Sequence, residues 1–181
     1  SAELYETVTG DVVITDQAPP MLSLSFLKQV GGKLSIVDAS LTKDASFPKL
    51  EAIAGDLEAK SNDALEGLKL PVLVSVGGAV NLDKLPVLKL LTLPILETIG
   101  ARLSVTSVDK LKSLTFNNIT ALTDDLIIRK AAKLQHVHMT ALETVSGSVW
   151  LSQLTELKTL NVGLLNDVGG RLEITHIPKL L

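Results

Sequence analysis

Apolar and polar residues alternate in short stretches that recur along the chain, and each stretch follows a similar phrase. The segment LPILETIGARLSV, residues 93–105, has close relatives that begin at Phe47, Leu70 and Met139. The residue that begins each alternating stretch is here called the anchor. The anchors are Gly10, Gly32, Gly55, Gly78, Ala101, Asp124, Gly147 and Gly170. They recur with a period of about 23 residues, and a fixed period of this length is typical of proteins whose units stack in a row.

Apolar residues keep fixed positions around each anchor. One of these positions lies two residues before the anchor. Two residues after the anchor stand Val12, Leu34, Leu57, Val80, Leu103, Leu126, Val149 and Leu172. Four residues after it stand Ile14, Ile36, Ala59, Leu82, Val105, Ile128, Leu151 and Ile174. A spacing of two is that of a β-strand with one buried face. The pattern therefore predicts short strands rather than helices.

A second apolar set follows in each unit, after a polar stretch that turns the chain. One copy is Leu65, Leu68, Leu70 and Leu73, and it recurs one period later. Proline stands at one shared register position in three units, which indicates a corner or the start of a strand. Two short strands cannot enclose a core alone, so the units must stack about 4.8 Å apart with parallel sheets along their sides.

One column beside the anchors carries alternating charges. One residue after each anchor the chain reads Asp11, Lys33, Asp56, Ala79, Arg102, Asp125, Ser148 and Arg171. No two neighbours in this column carry like charges, which would destabilise adjacent strands. We interpret the column as a ladder of surface charges that supports the stacking register.

Composition narrows the class of protein. Apolar residues make up 46% of the chain but aromatic residues only 3%, so the core is aliphatic. The net charge of −3 offers no basic surface to nucleic acid. The absence of cysteine excludes disulfides and thiolate metal sites, and it leaves both an extracellular and a cytoplasmic location open. No apolar run approaches the ~20 residues of a membrane-spanning helix, so no transmembrane segment is expected in this chain.

The segments FPKLEAIAGDLEA, LPVLVSVGGAVNL and LPILETIGARLSV resemble the repeats of the receptor L-domain group. That group includes the ligand-binding lobes of insulin- and EGF-type receptors and fungal GPI-anchored cell-wall proteins. A weaker resemblance is to bacterial surface leucine-rich repeats of the same period, whose Ala-Phe signature is missing here. The resemblance implies a right-handed β-helix related to leucine-rich repeats, an extracellular or cell-surface location, and a role in protein binding.

We therefore predict one all-β domain over residues 1–181, a right-handed parallel β-helix or leucine-rich-repeat-like solenoid of about seven and a half coils. Residues 1–31 are expected to form an irregular N-terminal coil or cap, residues 32–169 regular coils, and residues 170–181 an incomplete terminal coil. Because no polar cap follows that coil, we expect either that the chain is a fragment of a longer protein or that a second copy covers the uncapped face in a homo-oligomer.

Trp150 is the only tryptophan, and alternation places it on the outer face of the predicted sheet. Stacking puts Ile127 one coil before it and Glu173 one coil after it, with Arg129 and Arg171 in neighbouring columns. A tryptophan–isoleucine pair surrounded by charges has the composition of a binding hot spot for a ligand or partner. The alternative is isolated apolar surface, or packing against another part of a parent protein.

His136 and His138 are separated by one residue on a predicted strand, so both rings leave the same face. This geometry binds zinc or copper when a third ligand is near. The neighbouring coils offer only hydroxyl and amide side chains in register, so solvated histidines are the favoured interpretation. We predict no metal site and no cofactor.

Catalytic signatures are absent from the sequence: there is no glycine-rich phosphate loop, His-Glu-x-x-His or Gly-x-Ser-x-Gly. The outward acids Glu51, Glu97 and Glu143 lie two coils apart, about 9–10 Å, at the wide limit for an inverting glycosidase. The sequence favours a non-catalytic recognition or structural module of a cell-surface or cell-wall protein, presenting a sheet face to a protein or glycan. A self-associating scaffold is the first alternative, and a β-helix carbohydrate-active enzyme is the second.

Overall fold

The computed structural model describes residues 6–180, and within that range it contains strands and turns but no helix. Sheet A has two-residue strands that end two residues before each anchor. They are Thr7–Val8, Gln29–Val30, Ala52–Ile53, Ser75–Val76, Thr98–Ile99, Ala121–Leu122, Thr144–Val145 and Asp167–Val168. Sheet B begins two residues after each anchor. Its strands are Val12–Ile14, Leu34–Val37, Leu57–Lys60, Val80–Asp83, Leu103–Thr106, Leu126–Arg129, Val149–Ser152 and Leu172–Thr175.

On the third side of the solenoid, the strands belong to two shorter sheets. Sheet C contains Met21–Ser23, Asp44–Ser46, Gly67–Lys69 and Leu90–Thr92. Sheet D contains Ser113–Thr115, His136–His138 and Thr159–Asn161. Every strand pair is parallel and joins residues one repeat apart, so each turn of the solenoid is one repeat. We number the coils one to eight by their strands in sheet B, and each coil from coil two onward runs from its strand in sheet C or D through sheet A to sheet B.

The structure confirms the predicted solenoid and its register. Leu57 pairs with Val80, and Val80 pairs with Leu103, in one inward row of sheet B. All three side chains are fully buried. The core runs along the axis and is aliphatic except for Phe47 and Phe116, the two fully buried aromatic side chains of residues 6–180. Each coil therefore covers the apolar cross-section of its neighbour.

The turn after each sheet B strand, from coil two onward, contains a non-glycine residue in the left-handed region. These residues are Asp38, Ser61, Lys84, Ser107, Lys130, Gln153 and His176, with φ between 52° and 58°. Asparagine and glycine adopt this conformation most readily, and other residues do so at a cost. Residues of different types share nearly the same φ at this position. The geometry of the coil therefore determines the turn, and the type of residue does not.

The charged column beside the anchors has a structural role that its alternating charges did not reveal. A side-chain oxygen in this column accepts the backbone N–H of its counterpart one coil later. The pairs are Asp11 with Lys33 (2.8 Å), Asp56 with Ala79 (2.7 Å), Asp125 with Ser148 (2.7 Å) and Ser148 with Arg171 (3.0 Å). These side chains connect the coils at the corner between sheets A and B.

Coils five and six are joined less completely than the other neighbouring coils from coil two onward. No strand pairing connects Leu90–Thr92 to Ser113–Thr115, which separates sheet C from sheet D within the described chain. In sheet A, Ile99 with Leu122 is the one paired position at this joint. Sheet B keeps all four paired positions there, so sheet B and the core hold the two halves together.

Candidate functional site

Trp150 lies on the outer face of sheet B, between the buried side chains of Val149 and Leu151. It pairs in register with Ile127 of coil six and with Glu173 of coil eight. The indole and the Ile127 side chain are both half-buried. The structure therefore places these three residues side by side, as the sequence predicted.

Two guanidinium groups lie over the indole. The Arg129 Cζ is 5.2 Å from the centroid of the Trp150 ring, and the Arg171 Cζ is 5.5 Å from it. Cation–π attraction is significant within about 6 Å of the ring centroid. Arg129 comes from the end of the preceding strand and Arg171 from just before the following one. The sequence placed both arginines in neighbouring columns, and the structure brings both onto the ring.

The two arginines differ in their other partners. Arg129 Nε donates a hydrogen bond to Ser152 Oγ at 3.1 Å, and Ser152 is buried. Arg171 Nη2 forms an ion pair with Glu173 Oε2 at 3.1 Å. No carboxylate of residues 6–180 forms an ion pair with Arg129. We call Ile127, Arg129, Trp150, Arg171 and Glu173 the Trp150 cluster; it combines apolar surface with one uncompensated positive charge.

The outer face of coils two to five is polar and bonded internally. Ser35 Oγ donates to Glu58 Oε2 at 3.1 Å, and Lys60 forms an ion pair with the same carboxylate. The hydrogen bond from Lys60 holds the pKa of Glu58 below its usual value. Arg102 Nε donates to Asn81 Oδ1 at 3.2 Å. This half of the face thus satisfies its own polar groups, whereas the Trp150 cluster leaves an arginine available.

His136 and His138 project from the same face of sheet D, and their rings stack on each other. The ring centroids are 6.0 Å apart and the ring planes differ by 15°. Their register neighbours carry hydroxyl and amide groups, as the sequence indicated. Residues 6–180 contain no group of three histidine, cysteine, aspartate or glutamate side chains placed to hold a metal ion.

A shallow groove of about 350 Å³ lies on the N-terminal half of sheet A. It forms because small side chains such as Ala52 and Ser75 stand next to Gly31, Ala54 and Gly77. No ionisable side chain lines the groove. It therefore offers shape, but no acid or base that would activate the hydroxyl of Ser75.

The described residues include no helix long and apolar enough to cross a membrane. A scan of protein-family models and searches of curated proteins and solved structures find no match to this chain. The fold and the site define a parallel β-solenoid with a tryptophan–arginine cluster on the outer face of sheet B.

Proposed function

We propose that this chain is a non-catalytic recognition module of a cell-surface or cell-wall protein, which presents the outer face of sheet B to a protein or glycan. One observation carries the proposal: Trp150 is held on a rigid sheet with Arg129 and Arg171 over its ring. Tryptophan and arginine are the residues most enriched in binding hot spots. A site on a parallel sheet is preorganised, which lowers the entropic cost of binding.

Ionisable groups are arranged in a way that supports a non-catalytic role. Catalytic acids and bases typically gather in a cleft that shifts their pKa values. Here the pKa of Glu58 and that of Glu156 are lowered chiefly by hydrogen bonds from Lys60 and Lys179, and that of Lys28 is raised by its bond to a glutamate. Surface ion pairs account for these shifts without any reactive site.

The proposed location at a cell surface or wall comes from the repeats. The LPILETIGARLSV type of repeat resembles those of receptor L domains and fungal cell-wall proteins, and those proteins present sheet faces outside the cell. The repeats cover nearly the whole chain, so the resemblance concerns the entire solenoid rather than one motif.

Replacing Trp150 by alanine is expected to weaken binding to the cognate protein or glycan at least tenfold, because hot-spot truncations cost roughly 2 kcal/mol or more. The measurement is binding of labelled protein to arrays of glycans and cell-surface proteins, followed by titration of each positive. Val13→Ala is the matched control, since Val13 occupies the same outward column of sheet B six coils away and is exposed. Equal binding by Trp150→Ala and wild type would contradict the proposal.

Self-association is a second candidate function, favoured by the C-terminal face of the solenoid. Leu172 and Ile174 are 56% and 47% exposed, whereas their counterparts in coil seven, Val149 and Leu151, are each 2% exposed. The last strand of sheet B also leaves one edge unpaired within the described residues. Apolar surface beside an unpaired strand edge is a ready site for pairing with another coil, and a second copy of this chain can supply one.

The double variant Leu172→Glu/Ile174→Glu is expected to be monomeric at concentrations where the wild-type chain forms dimers. Introduced carboxylates would have to be buried unpaired in the interface, which is strongly unfavourable. Sedimentation velocity over a range of protein concentrations checks this, with Val13→Glu as the control at the opposite end. A wild-type chain that stays monomeric at every concentration would rule out the scaffold role.

A further inference from the structure

We infer that the Trp150 cluster binds an acidic segment of a partner protein, with a carboxylate of that segment on the guanidinium of Arg129. The inference rests on the proposed recognition function and narrows it to one class of partner. The indole and the Ile127 side chain supply the apolar part of the contact. Arg129 supplies its charge.

Arg129 is held in place without being neutralised. Its Nε bonds the buried Ser152 and its guanidinium lies over the indole, so the side chain is already ordered before any partner arrives. Its two terminal nitrogens donate to no side chain or backbone group of residues 6–180. A planar guanidinium with free terminal nitrogens matches a carboxylate in two parallel hydrogen bonds. Ordering it in advance reduces the cost of forming that pair.

The surroundings of Arg129 favour an acidic partner although the whole chain is acidic. On the outer face of the sheet B strands in coils five to eight, Arg129 stands against Glu173, and the leading corner adds Arg102 and Arg171 against Asp124 and Asp125. Asp125 already accepts the N–H of the next coil, and Glu173 is paired with Arg171. Arg129 is therefore the charged side chain on these strands that a carboxylate of the partner can neutralise.

The same geometry favours a protein over a glycan. Two guanidinium groups already lie over the indole, so a sugar ring stacking there would displace at least one of them. Ile127 adds an aliphatic surface next to the ring, which suits an apolar side chain of a peptide. Tryptophan and arginine around a small apolar centre are the composition of protein–protein interfaces.

Trp150 is the only tryptophan of the chain, so intrinsic fluorescence reports this cluster directly. The probe is a short tryptophan-free synthetic peptide in which Glu and Leu alternate, compared with the same peptide carrying Gln in place of Glu. We expect a saturable change in emission with the Glu peptide and binding at least about tenfold weaker with the Gln peptide. Raising the salt concentration should weaken the Glu peptide's binding.

Arg129→Gln is expected to reduce affinity for the Glu peptide at least about tenfold, and Arg129→Lys to retain part of it because the charge remains without the planar fork. Arg102→Gln is the matched control: it makes the same change of charge just before a sheet B strand, two coils from Trp150, and should change affinity less than about twofold. Unfolding midpoints of all variants establish that each is folded. Equal binding by Arg129→Gln and wild type overturns the inference, and so does a Glu peptide that causes no response.

Titration with the acidic polysaccharide polygalacturonate distinguishes failure of this inference from failure of the proposed function. A Trp150 response to polygalacturonate without a response to the Glu peptide overturns the acidic-protein inference and leaves the recognition function standing. Failure of the recognition function would appear differently, as unchanged binding of Trp150→Ala to protein and glycan arrays.

Discussion

Replacing Phe116 by alanine is expected to lower the free energy of unfolding by about 3–5 kcal/mol, the range for truncating a fully buried phenylalanine. The ring is 1% exposed and lies in a column between Leu93 and Met139, which are also buried. A neighbouring coil cannot move into the space, because strand pairing in sheet B fixes the distance between coils. The cavity therefore remains open.

Phe116 lies at the joint between coils five and six, where strand pairing is reduced, and for this reason we expect a large effect there. The residue belongs to coil six, at the joint where sheets C and D are not paired and sheet A keeps one paired position. Strand pairing contributes less to this joint than to the others from coil two onward, so core contacts carry more of it. Urea denaturation followed by far-UV circular dichroism gives the free energy. Trp150 fluorescence then reports whether coil seven unfolds in the same transition.

Phe116→Leu is the matched control for the cavity. Leucine occupies the same column in the preceding coils, at Leu70 and Leu93, so the substitution keeps a side chain that the coil accommodates. We expect it to cost less than about 1.5 kcal/mol. If Phe116→Ala costs no more than Phe116→Leu, the ring does not fill the core as the structure indicates.

The repeat predicts the fold because one fixed period determines which residues meet. Once Leu57, Val80 and Leu103 share a position in the unit, stacking leaves them no other neighbours. The same period places Ile127, Trp150 and Glu173 in one row of sheet B. Their order and spacing are properties of the sequence alone, and they required no knowledge of side-chain conformation.

Hydrogen-bond partners could not be predicted in this way, because they depend on distances between coils and on rotamers. Asn62 stands in a column of apolar residues, and the structure buries it completely. Its Oδ1 accepts the N–H of Ala39 at 2.6 Å, and its Nδ2 donates to the carbonyl of Ile36 at 2.7 Å. One polar residue in an aliphatic column was the signal available in the sequence. The stacking of both arginines on Trp150 likewise depends on rotamers.

The glycine anchors show a relation between neighbouring coils that becomes visible only with the structure. At Gly78 a Cβ would collide with Asp56 Oδ1, the oxygen that accepts the N–H of Ala79. A side-chain oxygen of the preceding coil stands in the same place at Gly32, Gly147 and Gly170. These four glycine anchors thus make room for the side chain that ties their own coil to the one before.

The non-glycine anchors fit the same relation. Ala101 and Asp124 follow coils whose corresponding residues are Ala79 and Arg102, which supply no such oxygen. Gly10 and Gly55 are the exceptions among the glycine anchors: a Cβ at Gly10 would meet nothing within 4 Å, and one at Gly55 would meet only the backbone of the preceding coil. The side-chain oxygen and the backbone of the preceding coil are therefore two reasons for glycine at an anchor, and at Gly32, Gly78, Gly147 and Gly170 both would lie within 3.0 Å of an added Cβ.

Gly78→Ala is expected to destabilise the protein by about 2–3 kcal/mol, since the new methyl group displaces a charge-assisted hydrogen bond of the kind worth about 1.5–3 kcal/mol. Asp56→Ala should cost about 1–2 kcal/mol, because the Ala79 N–H loses its acceptor. In the double variant the methyl group meets no carboxylate, so the two costs should not add. We expect the double variant to be about 1–2 kcal/mol more stable than the sum predicts, within the usual range for contacting residues.

Ala101→Gly is the control for this cycle, because Ala101 is an anchor whose Cβ the structure already accommodates. It should change stability by no more than about 1 kcal/mol, the backbone-entropy cost of glycine. All four proteins of the cycle are compared by urea denaturation at one pH and ionic strength. Strict additivity of Asp56→Ala and Gly78→Ala would mean that the anchor glycine is required by the backbone of the preceding coil alone. The carboxylate would then have no part in selecting it.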